Sequence, residues 1–154
     1  MGNEDIPLSA GSLSYLKDVL ALSIQERKRV HSTLDLIPLC KKGLPITALK
    51  QLQNKLQVSN LKMSELVGVS KSTLLRYYRS DGRLSEPESQ IVLQLAELWS
   101  YGREVFEDEA DLRTWLTSEI PALAGQTPLA LLATPLGRSH VKEVLIRLDW
   151  GLYS

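Results

Sequence analysis

Lys71, Ser72, Thr73, Arg76 and Arg79 crowd into one short stretch, just behind Lys62 and Ser70. Leu74 and Tyr78 between them predict a helix over 71–79 that buries those two and exposes Lys71, Ser72, Leu75, Arg76 and Arg79. Reading base edges in the major groove takes hydrogen-bond donors on an exposed helix face near its N-terminus, and Lys71, Ser72 and Arg76 meet that demand. Arg76 is a candidate for a paired contact with guanine, a contact that discriminates by about 1–3 kcal/mol. Thr73 could touch a phosphate or a base. Arg79, Lys62 and Lys50 are placed for phosphates, which fix register without reading sequence. The free amides behind Ser59 and Ser70 add two anion-binding helix ends. The same residues also describe a helical hairpin with a solvated basic face.

A second group stands at the other end of the sequence: Arg147, Trp150, Gly151, Leu152, Tyr153 and Ser154. They follow an amphipathic stripe, Val141, Val144, Leu145 and Leu148, which is expected to face the core. Trp, Tyr and Arg dominate binding hot spots, and little of the chain remains to cover them here. A frayed end is the plain alternative. Trp115, Leu131 and Leu132 are expected in the core.

The elements that must hold these groups read as helices. Leu is abundant while Val, Ile, Thr and Phe are sparse, which favours helix over strand. Residues 1–12 read as a mobile tail, 13–102 as a helical region and 103–154 as a small helical one. A first helix is predicted over 13–24, a second from about Pro45 to Leu56, and a pair within 58–79. A further helix runs from Ser85 to about Tyr101-Gly102. Pro121, Gly125 and Thr134-Pro135-Leu136-Gly137 read as breaks, and the last helix as Arg138 to Asp149. Within 58–79, Ser59 and Ser70 cap the two helices. Ser64 is small where they pack closely, and Gly68 permits the left-handed turn between them.

Eighteen basic residues balance eighteen acidic ones across 154 residues, but unevenly. Residues 41–83 hold nine Lys/Arg against two acids, and residues 84–154 hold five against eleven. Two surfaces of opposite sign suit different partners, or each other; chance clustering on solvated faces is the plain alternative.

The string Ser64 to Ser70 resembles the Ala-x-x-x-Gly-Val-Ser of the Xre/Cro helix-turn-helix group. The C-terminal block is similar to the toxin-binding domain of the Xre/MbcA/ParS antitoxins, partners of RES-domain toxins. It carries Trp115-Leu116, the turn Pro121-Ala122-Leu123 with Gly125, Pro128-x-x-Leu131-Leu132, and Arg147-x-x-x-Gly151-x-Tyr153. It departs at Ile120, where Asn is usual, and at Ala124, where Gly is. The resemblance implies an all-α protein: an N-terminal Xre/Cro-like helix-turn-helix bundle (motif 58–79) plus a small helical toxin-binding domain. It further implies an antitoxin that inserts its C-terminal segment into the active site of an NAD-consuming RES toxin. Tyr153, Ser154 and the terminal carboxylate would occupy the cleft. The same protein would repress its own promoter, as a homodimer reading two half-sites. A stand-alone helix-turn-helix regulator without a toxin, or an adaptor that never meets DNA, remain the alternatives.

Other classes find little support. His31 and His140 lie far apart without acids or thiols at metal spacing, so neither metal nor cofactor is expected. Cys40, the single cysteine, lacks a context for nucleophilic work, and no Gly-rich phosphate loop occurs. The acids of 104–111 read as a solvated face or a helix start, and an enzyme is not expected. No apolar run approaches the roughly 20 residues of a membrane span, and no secretory signal is evident. A bacterial cytoplasmic location is expected.

Overall fold

Side-chain caps set most of the helix starts. The computed structural model describes residues 8–151. In it, Ser9, Ser23, Ser59, Ser70, Ser85, Asp108, Thr127 and Thr134 each accept a hydrogen bond from an amide of the helix that follows. Each such bond satisfies one of the free N–H groups that every helix start exposes. The helices are α1 (Ala10–Val19), α2 (Ile24–Arg29), α3 (Ile37–Lys42), α4 (Ile46–Leu56) and α5 (Asn60–Val67). They continue with α6 (Lys71–Tyr78), α7 (Glu86–Phe106), α8 (Glu109–Leu116), α9 (Pro128–Leu131) and α10 (Pro135–Asp149). Short 3-10 turns cover Thr33–Leu36 and Pro121–Leu123. No strand forms among the described residues; the nearest thing is an isolated bridge between Pro45 and Arg83.

α7 is the axis of the molecule. It packs against α1, α3, α4, α5, α8 and α10, and Val92, Leu95, Ala96, Trp99 and Tyr101 on it are all but inaccessible to water. Leu16 and Leu20, Leu49 and Leu52, Met63 and Leu66, Leu112, and Val141 and Leu145 meet it in one contiguous core. An all-α protein with a helix-turn-helix in its N-terminal part is therefore what the sequence builds.

Several boundaries differ from expectation. The helix predicted over 13–24 starts earlier, at Ala10 within the stretch read as a mobile tail, where Ser9 caps it; it stops at Val19, because Ala21 adopts a left-handed backbone (φ 55°) and Ser23 and Glu26 form a capping box that starts α2 at Ile24. α7 does not stop at Gly102. That glycine is a packing device: a Cβ there would lie 2.6 Å from Leu112 Cδ1, so its absence lets α8 close on α7. The helix ends one turn later, at Glu107 (φ 62°). Thr134-Pro135-Leu136-Gly137 is the cap and first turn of α10, since proline needs no amide partner there and the Gly137 amide donates to Thr134 Oγ1 at 3.0 Å. Tyr78, expected to be buried, and Leu75, expected to be exposed, are both half-buried.

Candidate functional site

The basic helix is held by its neighbours. Gly68 turns the chain at φ 80°, with the Gly68 and Val69 amides both donating to the Ser64 carbonyl, at 2.9 and 3.0 Å. Ser64 is buried, and its hydroxyl donates to the Leu61 carbonyl at 2.6 Å. Leu74 anchors α6 in the core. Behind it, the Tyr78 hydroxyl hydrogen-bonds to Gln53, burial pushes its pKa up to about 12, and the Lys50 ammonium lies 5.8 Å from the ring centre. Below, the Ile46 amide donates to the Gly82 carbonyl (3.1 Å) and the Leu84 amide to the Leu44 carbonyl (2.8 Å). That strap fixes the loop leaving α6 to the start of α4.

Lys71, Ser72, Arg76 and Arg79 are exposed, and Ser72, Arg76 and Arg79 recur at i, i+4 and i+7 on one face of α6. Lys62 sits on α5 with its ammonium 3.9 Å from the Glu65 carboxylate. Ser70 and Thr73 are engaged with each other: Ser70 Oγ accepts from the Thr73 amide at 3.1 Å and donates to Thr73 Oγ1 at 2.9 Å. Ser70 Oγ is thereby occupied by the cap, while Thr73 Oγ1 only accepts and keeps its own hydrogen to donate.

At the other end, the Tyr101 hydroxyl donates to the Asp149 carboxylate at 2.7 Å and pins the last turn of α10 to α7. Burial, with the Asp149 hydrogen bond, raises the Tyr101 pKa. Trp150 follows directly and is 66% exposed. Gly151 turns left-handed at φ 68°. Arg147 is exposed and donates to Glu143 at 2.5 Å. The structure thus brings Arg147, Trp150 and Gly151 to one helix end; Leu152, Tyr153 and Ser154 lie outside the described residues.

The turn at 120–126 closes despite its departures. The Ile120 amide donates to the Gln126 carbonyl and the Gly125 amide to the Ile120 carbonyl, both at 3.1 Å. Ala124 stands at φ 56°, in the left-handed region. That conformation suits glycine and costs a residue with a Cβ about 1–2 kcal/mol.

A polar cluster that the sequence does not announce joins the two ends. Glu109 Oε1 accepts from the Tyr15 hydroxyl (2.6 Å) and the Lys55 ammonium (3.0 Å), and Glu109 Oε2 accepts from Arg113 (3.1 Å). Trp99 Nε1 donates to the Tyr15 oxygen at 2.9 Å, and Arg113 Nε donates to the Lys55 carbonyl, the last turn of α4, at 2.8 Å. Burial pushes the Glu109 pKa up, but the hydrogen bonds from Tyr15 and Lys55 and the charges of Lys55 and Arg113 outweigh it and hold the carboxyl below its usual range. The acids of 104–111 are therefore not simply a solvated run: Asp108 caps α8, Glu104 accepts from Ser12 at 3.1 Å, and Glu109 is a structural node. Arg113 is its i+4 neighbour on α8, but Tyr15 on α1 and Lys55 on α4 lie too far off in sequence for any spacing rule to link them.

His140 is exposed, and Cys40 is buried with its pKa raised by burial to about 11. No helix among the described residues is long and apolar enough to cross a membrane.

Residues 35–97 match the antitoxin Xre-like helix-turn-helix domain family, and residues 102–151 match the antitoxin Xre/MbcA/ParS C-terminal toxin-binding domain family. Similar proteins include one named Prs ADP-ribosylating antitoxin from Sphingobium sp. (strain YBL2), 27% identical over 132 residues, which span 80% of this chain and 83% of that protein. Another is Antitoxin Xre from Yersinia enterocolitica, 22% identical over 120 residues, 77% of this chain and 81% of the relative. A third, Antitoxin Xre from Photorhabdus laumondii, is 23% identical over 113 residues, 73% and 76% of the two chains. With both characteristic segments present in order, the chain belongs to the Xre/MbcA/ParS antitoxins of toxin–antitoxin systems.

Proposed function

We propose that the chain neutralises a RES-domain, NAD-consuming toxin by placing residues 151–154 in the toxin's active-site cleft, and that as a homodimer it binds and represses its own promoter. The observation that carries the first half is Trp150. It is a large aromatic side chain, 66% exposed, on a helix end that Tyr101 and Asp149 hold in place. Exposed Trp on a rigid support is the anatomy of a binding hot spot, and the residues beyond it are delivered from a fixed point. The Sphingobium relative's name speaks of ADP-ribosylation, a reaction that consumes NAD, in keeping with a toxin of that chemistry here. Lys71, Ser72 and Arg76 would read bases while Lys62, Arg79 and Lys50 hold phosphates. The helix end capped by Ser70 and Thr73 would add an anion contact. Residues 13–102 and 103–154 would then be two functional regions on one core.

Co-expression with the co-encoded toxin tests this. Trp150→Ala, and separately deletion of 151–154, should abolish protection while promoter binding survives. Full protection by both variants would refute cleft insertion, and failure to capture any RES-domain protein from the native host would favour a regulator that works without a toxin.

A further inference from the structure

Ion pairs are spread unevenly over the chain's cations. In the C-terminal half, Arg103 and Arg113 lie against Glu109 and Arg147 against Glu143, while Arg138 is buried on Gln94 and the Leu132 carbonyl. Between residues 41 and 83 only Lys55 and Lys62 meet a carboxylate. Lys41, Lys42, Lys71, Arg76, Arg79 and Arg83 are exposed and, among the described residues, make no ion pair. Three of these six belong to the basic helix. The other three lie outside it and are gathered by the strap between α3 and α7. There the Arg83 guanidinium donates to the Gly43 carbonyl at 2.8 Å, Pro45 bridges to Arg83, and the Leu44 amide donates to Ser89 Oγ at 2.8 Å. Gly43, at φ 96°, lets the two segments close: a Cβ there would lie 2.3 Å from the Leu84 carbonyl oxygen. The last turn of α3, carrying Lys41 and Lys42, is thereby fixed beside Arg83.

We infer that Lys41, Lys42 and Arg83 form a second phosphate-holding corner, which grips the duplex backbone beside the groove that α6 enters. The inference rests on the promoter-binding reading above and extends its footprint beyond the helix-turn-helix. Two arguments select the DNA backbone as the partner. The corner is continuous with the basic helix: Arg79 stands four residues before Arg83, at most about 14 Å of chain, and Lys50 lies one turn on from Ile46, whose amide is bonded to Gly82. Its charge is also open. Asp81 and Glu86 flank it but are exposed and pair with none of its cations, so Lys41, Lys42, Arg79 and Arg83 leave a positive balance that duplex phosphates meet with release of counterions. Lysines serve such a contact well, since it holds register without reading sequence. The bland role, complementing the C-terminal end of α3, demands little here: that helix has six residues, and Arg83 already donates to the carbonyl that follows it.

Salt titration reads phosphate contacts in a way that a fold defect cannot imitate. The full chain is titrated onto its own promoter duplex and onto an unrelated duplex of equal length, by fluorescence anisotropy across salt concentrations. Doubly substituted Lys41→Gln, Lys42→Gln should flatten the slope of log affinity against log salt by about two units, and Arg83→Gln by about one. Both duplexes should weaken by the same factor, so that preference for the promoter is unchanged. Hydroxyl-radical footprints of the double variant should lose backbone protection at one flank of each half-site. Both lysines are exposed, so the Tm of that variant should match the native one, and Lys142→Gln, on α10, should leave the slope as it was. If the unaltered chain binds neither duplex, the promoter-binding reading falls and this inference with it. If it binds with a steep slope that the double variant retains, only the inference is overturned. It is likewise overturned if the double variant keeps its slope but no longer captures the toxin, since the corner would then be a protein contact.

Discussion

Removing the carboxylate of Glu109 should loosen the molecule at the point where α1, α4 and α8 meet. In Glu109→Ala the charge-assisted bond from the Tyr15 hydroxyl, 2.6 Å long, disappears; such a bond contributes about 1.5 kcal/mol. The pairs to Lys55 and Arg113 involve side chains 33% and 25% exposed, so water replaces much of each and they count for about 0.5 kcal/mol apiece. The total is about 2.5 kcal/mol, or a fall of about 5–10 °C in Tm for a chain of this size. Thermal unfolding followed by circular dichroism measures it. Glu109→Gln keeps an acceptor for Tyr15 and should lose about half as much. The pH profile adds an independent check. Because the folded-state pKa of Glu109 lies below its ordinary value of 4.5, its contribution is complete above that value and is lost as pH falls through the lowered folded pKa. Acidification should therefore narrow the gap between the native chain and Glu109→Gln. A Tm within 2 °C of the native one for Glu109→Ala, or a gap indifferent to acid, would refute the reasoning.

Two other expectations are direct. Gly137→Ala places a Cβ inside the contact distance of the Leu131 carbonyl oxygen; backbone cannot rotate away, so the change should cost about 2 kcal/mol even after alanine's better helix propensity, read as a Tm loss. Arg76→Ala should lower affinity for the operator more than for unrelated DNA, whereas Arg79→Ala should lower both alike and flatten the salt dependence by about one unit of slope, measured by titrations across salt concentrations.

What the sequence revealed and what it hid divide along physical lines. The 58–79 motif was legible because its demands are local: a cap at Ser59, a small Ser64, a left-handed Gly68 and a cap at Ser70 all act within one or two turns. The exposed face of α6 followed from the same periodicity. The end of α7 was misplaced because Gly102 reads as a breaker, and only the approach of Leu112 explains its presence inside the helix. Thr134-Pro135 looked like a break because the same pair that ends one helix begins another. The Tyr15–Lys55–Glu109 node was invisible, since its members meet only after α1, α4 and α8 have packed. Arg138 carried no signal in the sequence; nothing short of the fold sets it between Gln94 and the Leu132 carbonyl.

The unbroken α7 constrains how such chains can be rebuilt. The two family-matched segments leave only residues 98–101 between them, and those residues sit in mid-helix, buried on the shared core. A recombinant that swaps one half for a cousin's must therefore cut a rigid rod where it is most tightly gripped. Successful chimaeras would be those that carry the whole rod across, so new toxin specificity should be inherited together with the scaffold that presents it.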